Sequence, residues 1–355
     1  MRFLLTGLLM WWMSGIQAQE PWSFGLNAHH GFLWPHRTTT WVLVERHAPA
    51  IELFAERSVK GDRSWHHDFL MPRYGFGLLY TGMGNAQRIG TCVRVVPYLY
   101  LPFTRNARSS FGMRLGWGIG YVAKPFDRRE NIKQIAIGSH LNTAIQIMPE
   151  YRSERGAWTL QGGIGIDHWS NGSFQLPNLG LNYLSLHLGA GYRMGAQAAP
   201  IAVTDTVYVP REREQVVVAA FGVNESVRPL SGQYSVYALS GQVQWPISRK
   251  SGLAAGFDVF NKGSLVTANP ELKDTDRIGN TQLGVHGGYA LLFGRAEMFI
   301  QMGAYVMTPV KDHAPVFHRL GGRMRCGKHF VASIALKSHY AVADHWEFGV
   351  GYRWN

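Results

Sequence analysis

The segment Trp158-Thr159-Leu160-Gln161-Gly162-Gly163-Ile164-Gly165-Ile166-Asp167-His168-Trp169-Ser170 carries large apolar side chains at Trp158, Leu160, Ile164 and Ile166. Thr159, Gln161, Gly163, Gly165 and Asp167 take the positions between them. A strand turns successive side chains to opposite faces, so this stretch is a β-strand with one apolar face and one small, polar face. His168 and Ser170 end the apolar face. Being two apart they point to the same side, where an imidazole can activate a hydroxyl. A nucleophile pair on the apolar side makes sense where that side meets lipid and the substrate is itself a lipid.

The same alternation recurs along the chain. Leu184, Leu186, Leu188, Ala190 and Tyr192 oppose Ser185, His187, Gly189 and Gly191; Leu283, Val285, Tyr289, Leu291 and Phe293 oppose Gln282, Gly284, His286, Gly288 and Ala290. With 41 Gly, 12 Trp, 15 Tyr and 18 Phe but only 16% charged residues, the composition is that of a transmembrane β-barrel, apolar outside and aromatic at its rims. The fold class expected is all-β: one transmembrane antiparallel outer-membrane β-barrel of about sixteen strands, or about fourteen. Its inward faces are small and polar, as around a lumen.

Residues 1–18 read as a signal peptide: Arg2, an apolar run Phe3 to Trp12, then small residues up to Ala18. Residues 19–355 are then one outer-membrane barrel, exported to the bacterial outer membrane. No other run approaches the roughly 20 apolar residues of a membrane-spanning helix. Cys92 and Cys326 form no disulfide framework and have no metal-ligand spacing. The net charge of +12 points to anionic lipid headgroups as partners rather than nucleic acid.

Barrels of this kind alternate long external loops with short periplasmic turns. Connections 124–137, 171–181, 225–230, 262–277 and 308–313 are mostly long, and 153–155, 247–249, 294 and 326 mostly short, as that alternation requires. Two connections, 59–73 and 196–212, are long where a short turn is expected.

At the site, Ser170 needs a base, and His168 supplies it. The base needs an acceptor for its second ring nitrogen. Asp167 lies on the opposite face, whereas Asn182 shares the apolar side of the next strand with Leu184 and Leu186. Asn171 and the backbone around Gly172 are the expected oxyanion donors. Lys124, Arg128, Arg129 and Lys133, in an external loop, suit substrate phosphates. His29-His30 and His66-His67-Asp68 suggest a metal, but adjacent strand residues face opposite ways, so neither metal nor cofactor is expected.

His168-x-Ser170-Asn171 followed by Asn178-x-Gly180 resembles the lipid A 3-O-deacylases of the PagL type, grouped with acyloxyacyl hydrolases. The resemblance covers about 74–195. It implies an outer-membrane barrel whose Ser-His site faces the bilayer and cleaves an ester-linked acyl chain from lipid A. It makes His168 the base and Ser170 the nucleophile, and it places Asn171 near the oxyanion. The family's acid falls where this chain has Asn182, and residues from 213 onward lie outside the resemblance, where they would widen the barrel. The expected function is therefore a serine esterase acting on lipid A, with lipopolysaccharide and outer-membrane lipids as partners. The competing class is a non-catalytic channel or structural barrel derived from such an enzyme.

Overall fold

The computed structural model describes residues 21–196, 212–225, 228–269, 272, 277–310, 314–340 and 342–354. The expected signal segment, residues 1–18, lies outside the described residues. The described residues form sixteen strands. The first eight are β1 (Ser23–Leu33), β2 (Ala48–Ser58), β3 (Arg73–Thr81), β4 (Cys92–Arg105), β5 (Ser109–Val122), β6 (Leu141–Arg155), β7 (Trp158–Ser170) and β8 (Leu181–Arg193). The rest are β9 (Glu214–Glu225), β10 (Gln233–Pro246), β11 (Ser251–Lys262), β12 (Thr281–Phe293), β13 (Ala296–Met307), β14 (Val316–Cys326), β15 (Phe330–His339) and β16 (Val342–Trp354).

These strands do not close as one barrel. β8 returns to β1 along its whole length, from Ser23 opposite Arg193 to Leu33 opposite Tyr183. β16 likewise returns to β9, with Phe348 opposite Phe221 and Trp354 opposite Gln215. The molecule is two closed antiparallel barrels of eight strands each, which corrects the single sixteen-stranded barrel expected from the alternation. Alternation fixes which face a residue takes, but not which strand an edge finds.

The reason for early closure lies inside. An eight-stranded barrel is just wide enough for its inward side chains to fill it. In the first barrel the filling is charged: Arg94 reaches Glu52 at 3.0 Å and Asp167 at 2.6 Å. Arg114 bridges Glu52 at 2.9 Å and Glu150 at 3.1 Å. Arg152 binds Glu56 and Glu150, each at 2.6 Å. These side chains are out of contact with water, so each charge persists only because it is paired. In the second barrel, Lys262 and Lys337 each hold Asp344 at 2.8 Å, and Arg319 binds Asp258 and Glu347. The wide lumen expected of a large barrel is thus replaced by two interiors filled with side chains. Outside, the apolar face is bare: Leu186 is 65% exposed and Leu188 74%.

The two connections that break the long-and-short alternation both belong to the pairing of the barrels. Residues 196–212 join one barrel to the other, and 197–211 lie outside the described residues. The 59–73 connection contains a short helix, Ser64–Asp68, that leans on the second barrel. There Phe69 packs on Phe293 with ring centroids 4.7 Å apart, and Asp68 meets Arg249 at 3.2 Å. At the other end of the molecule Trp117 of β5 stacks on Trp346 of β16 at 4.9 Å.

Candidate active site

The site sits at the end of β7, where an inward residue anchors two outward ones. Trp169 is fully buried, in an apolar cluster with Leu33, Val122, Ile137 and Leu181 that closes this end of the barrel. Its neighbours His168 and Ser170 consequently fall on the outer side. Asp167 faces inward and is held by Arg94, so it takes no part in the outer constellation.

In the β7–β8 ladder His168 lies directly opposite Asn182. His168 Nδ1 and Asn182 Oδ1 are 2.6 Å apart. Since an amide oxygen only accepts, Nδ1 carries the proton and Nε2 is left as the basic nitrogen. An asparagine amide can flip, so something must fix which end faces the imidazole. Trp34 and His36, in the connection after β1, do this. Asn182 Nδ2 lies 3.5 Å from the Trp34 carbonyl oxygen and 2.7 Å from His36 Nδ1. A carbonyl oxygen demands the nitrogen end, which leaves the oxygen end for His168. His36 Nδ1 can accept only while unprotonated. Partial burial, followed by the charge of Arg37, holds His36 below the usual histidine range, against a hydrogen bond to the Leu179 backbone that favours the charged form.

Ser170 is only 5% exposed, beneath the loop that follows it. Its Oγ receives the Gly172 N–H and Asn178 Nδ2, each at 3.3 Å. Among the described residues no hydrogen bond joins it to His168, so the two share a face without yet engaging. Asn171, expected as an oxyanion donor, spends its side-chain amide on Ser139 Oγ at 2.8 Å and the Gln175 carbonyl at 2.7 Å. Its backbone N–H goes to Asn178 Oδ1 at 2.9 Å. The donors that meet Ser170 are therefore Gly172 and Asn178.

Gly180 and Gly172 are demanded by close approach. Gly180 crosses the imidazole with φ +83°, and a Cβ there would sit 2.5 Å from His168 Cε1. Gly172, at φ +65°, lies against Trp346 of the second barrel, 2.2 Å from a built Cβ to Nε1.

Lys124, Arg128, Arg129 and Lys133 are all exposed, in the connection whose far end packs on the site loop. Gly180 N–H bonds the Ala136 carbonyl at 3.0 Å, and Ile137 pairs with Asn178. Arg128 reaches the Pro229 carbonyl of the second barrel at 3.0 Å, and Lys124 the Ala86 carbonyl at 2.9 Å. The paired histidines do other work: His29 contacts Ser185 inside the barrel, while His66 and His67 both bind the Gly61 backbone. No metal-ligand cluster occurs among the described residues. Cys92 is buried in β4 and Cys326 exposed in β14, and they are not bonded to each other.

His36 escaped the sequence reading for a specific reason. In one sixteen-stranded barrel β1 would pair with β16, far from Asn182; only the β8–β1 closure brings the two together.

Several known proteins share features with this chain. The solved structures it resembles include a mutant Rh. blastica porin, at 8% identity and a TM-score of 0.20, covering 95% of this chain and 100% of that one. Another is a Salmonella typhi OmpF complex with daunomycin, at 9% identity and a TM-score of 0.18, covering 94% of this chain and 96% of that one. Likeness this slight carries no argument. No curated protein matches. Two family models do match, one to each barrel. The model for lipid A 3-O-deacylase (PagL) matches residues 50–191, and that for the acyloxyacyl hydrolase C-terminal domain matches 213–355. Residues beyond 213, which the resemblance left unexplained, are therefore a recognised second domain and not a widening of the first. With both barrels matched, the chain belongs to the PagL-type lipid A 3-O-deacylase and acyloxyacyl hydrolase family.

Proposed function

We propose that this protein is an outer-membrane serine esterase that removes an ester-linked acyl chain from lipid A. The observation that carries the reading is the 2.6 Å bond between His168 and Asn182. It leaves Nε2 as the basic nitrogen on the outward face of β7, the face that also carries Ser170. The family supports lipid A as the substrate class, and the exposed aliphatic belt of Leu186 and Leu188 supports a bilayer setting. In this reading residues 1–18 direct export and are removed.

The chemistry follows from the groups present. In this reading Ser170 turns to another staggered rotamer, carrying Oγ from the loop donors to His168. His168 Nε2 takes the hydroxyl proton as Oγ attacks the ester carbonyl. The Gly172 N–H and Asn178 Nδ2, released from Oγ, would then donate to the oxyanion. His168 then protonates the departing sugar hydroxyl, and water cleaves the acyl-serine by the reverse sequence. Asn182 keeps the imidazole in the right tautomer but cannot offset the imidazolium charge as a carboxylate would, so turnover is slow. Lys124, Arg128, Arg129 and Lys133 would hold the phosphates. No step calls for a cofactor.

Fatty-acid release from lipid A in detergent micelles tests this. Purified wild type should release one acyl chain and Ser170→Ala none; equal release by both proteins would refute the assignment.

A further inference from the structure

The loop between β7 and β8 is gripped by the second barrel at several points. The Glu225 N–H, at the end of β9, bonds the Ser173 carbonyl at 2.7 Å. The Glu225 carboxylate in turn accepts the Leu176 N–H at 2.5 Å. Ser173 Oγ donates to the Ala343 carbonyl of β16 at 2.5 Å, and Gln233 Nε2 to the Phe174 carbonyl at 3.2 Å. Trp346 closes over Gly172.

Two further observations say what the grip is for. Gly172 and Ser173 are consecutive left-handed residues, at φ 65° and 62°. For serine that conformation is unfavourable and persists only where surrounding contacts impose it. It is also the conformation that aims the Gly172 N–H at Ser170 Oγ. Glu225, for its part, is only 6% exposed, and the backbone ladder of β9 would close without its carboxylate. Burying a carboxyl group is costly unless it is bonded, and among the described residues its side chain bonds the other barrel's loop.

We infer that the second barrel is a working part of the site in the first: through Glu225, Ala343 and Trp346 it holds residues 172–176 in the one conformation that presents the oxyanion donors. Glu225 is a positioning residue, acting through the loop. The segment of β16 that supplies Ala343 and Trp346 is itself fixed by Asp344, which is buried between Lys262 and Lys337. The inference rests on the esterase reading for its catalytic part, and on loop geometry alone for its structural part.

The experiment compares full-length wild type, Glu225→Ala and Glu225→Gln by two readouts. Amide hydrogen exchange of residues 172–176 reports the grip whether or not the protein is active. Fatty-acid release from lipid A, resolved into kcat and KM, reports positioning. Glu225→Ala should speed exchange in this loop alone and lower kcat by about tenfold to a hundredfold with KM little changed, as small misplacements of catalytic groups do. Glu225→Gln retains an acceptor oxygen and should restore most of both. Unchanged exchange in Glu225→Ala would overturn the grip. Faster exchange with an unchanged kcat would overturn the positioning role. If wild type itself releases no fatty acid, the esterase reading fails and the positioning role with it, while exchange still decides the grip.

Discussion

In the proposed mechanism Asn182 stands where a carboxylate would orient the base, and its surroundings fix which end of the amide faces His168. Its oxygen faces His168 because the Trp34 carbonyl and His36 Nδ1 take its nitrogen. His36→Ala should therefore let the amide sample the wrong orientation. Losing one such hydrogen bond costs about 1.4 kcal/mol, or roughly a tenfold fall in kcat at neutral pH. The pH dependence has a definite sign. His36, held below the ordinary histidine range, stays neutral and accepting at neutral pH. As pH falls through its titration, Nδ1 becomes a donor facing the donor nitrogen of Asn182, and activity is lost. Arg37, the Leu179 backbone and the imidazole of His168, which interacts with His36 through its charge, are the other groups bearing on that titration. His36→Gln keeps an acceptor and removes the proton, so its acid limb in kcat against pH should be shallower than that of wild type. An unchanged limb would show that His36 plays no part.

At the scale of elements, the faces and register of the β7–loop–β8 unit follow from its alternation. The period-two alternation of 158–170 put Asp167 inside and His168 outside, and the register then set Asn182 opposite His168. The strand positions were legible because each strand is bounded by turn residues and its two faces differ sharply. The loop's internal wiring was not. Nothing in the string Asn171-Gly172-Ser173 says that the Asn171 amide holds Ser139 and Gln175 while Asn178 turns to Ser170. Such pairings depend on how the loop folds back over the strand end. Gly180 offers a sharp test of that fold. Alanine there would strain a left-handed backbone by about 1–2 kcal/mol and press on the His168 ring. Gly180→Ala should leave the barrel folded, judged by heat-modifiable migration, while reducing kcat by about a hundredfold. Retention of full activity would mean that the imidazole position shown here is not the working one.

The whole molecule is where the sequence reading went astray, and the cause is physical. Alternation counts strands but is silent on closure, and sixteen amphipathic strands satisfy one barrel or two equally well. The information lay in the inward residues. Glu52, Glu56, Arg94, Arg114, Glu150 and Arg152 are large and oppositely charged, which suits a narrow, filled interior better than a broad lumen. The 196–212 connection, long on the side of short turns, was the second signal. Because that filling is a set of mutually paired buried charges, removing one member strands the others. Arg114→Ala leaves Glu52 and Glu150 each without one of its partners and should destabilise the first barrel by about 3–5 kcal/mol. A markedly lower temperature for loss of heat-modifiable migration would register it; an unchanged one would mean the network contributes little.

The measurement that bears most directly on the account is mass spectrometry of lipid A from cells expressing the wild-type chain or Ser170→Ala. Wild type alone should yield lipid A lighter by a single ester-linked acyl chain. Identical spectra from both, with both proteins folded in the outer membrane, would contradict it.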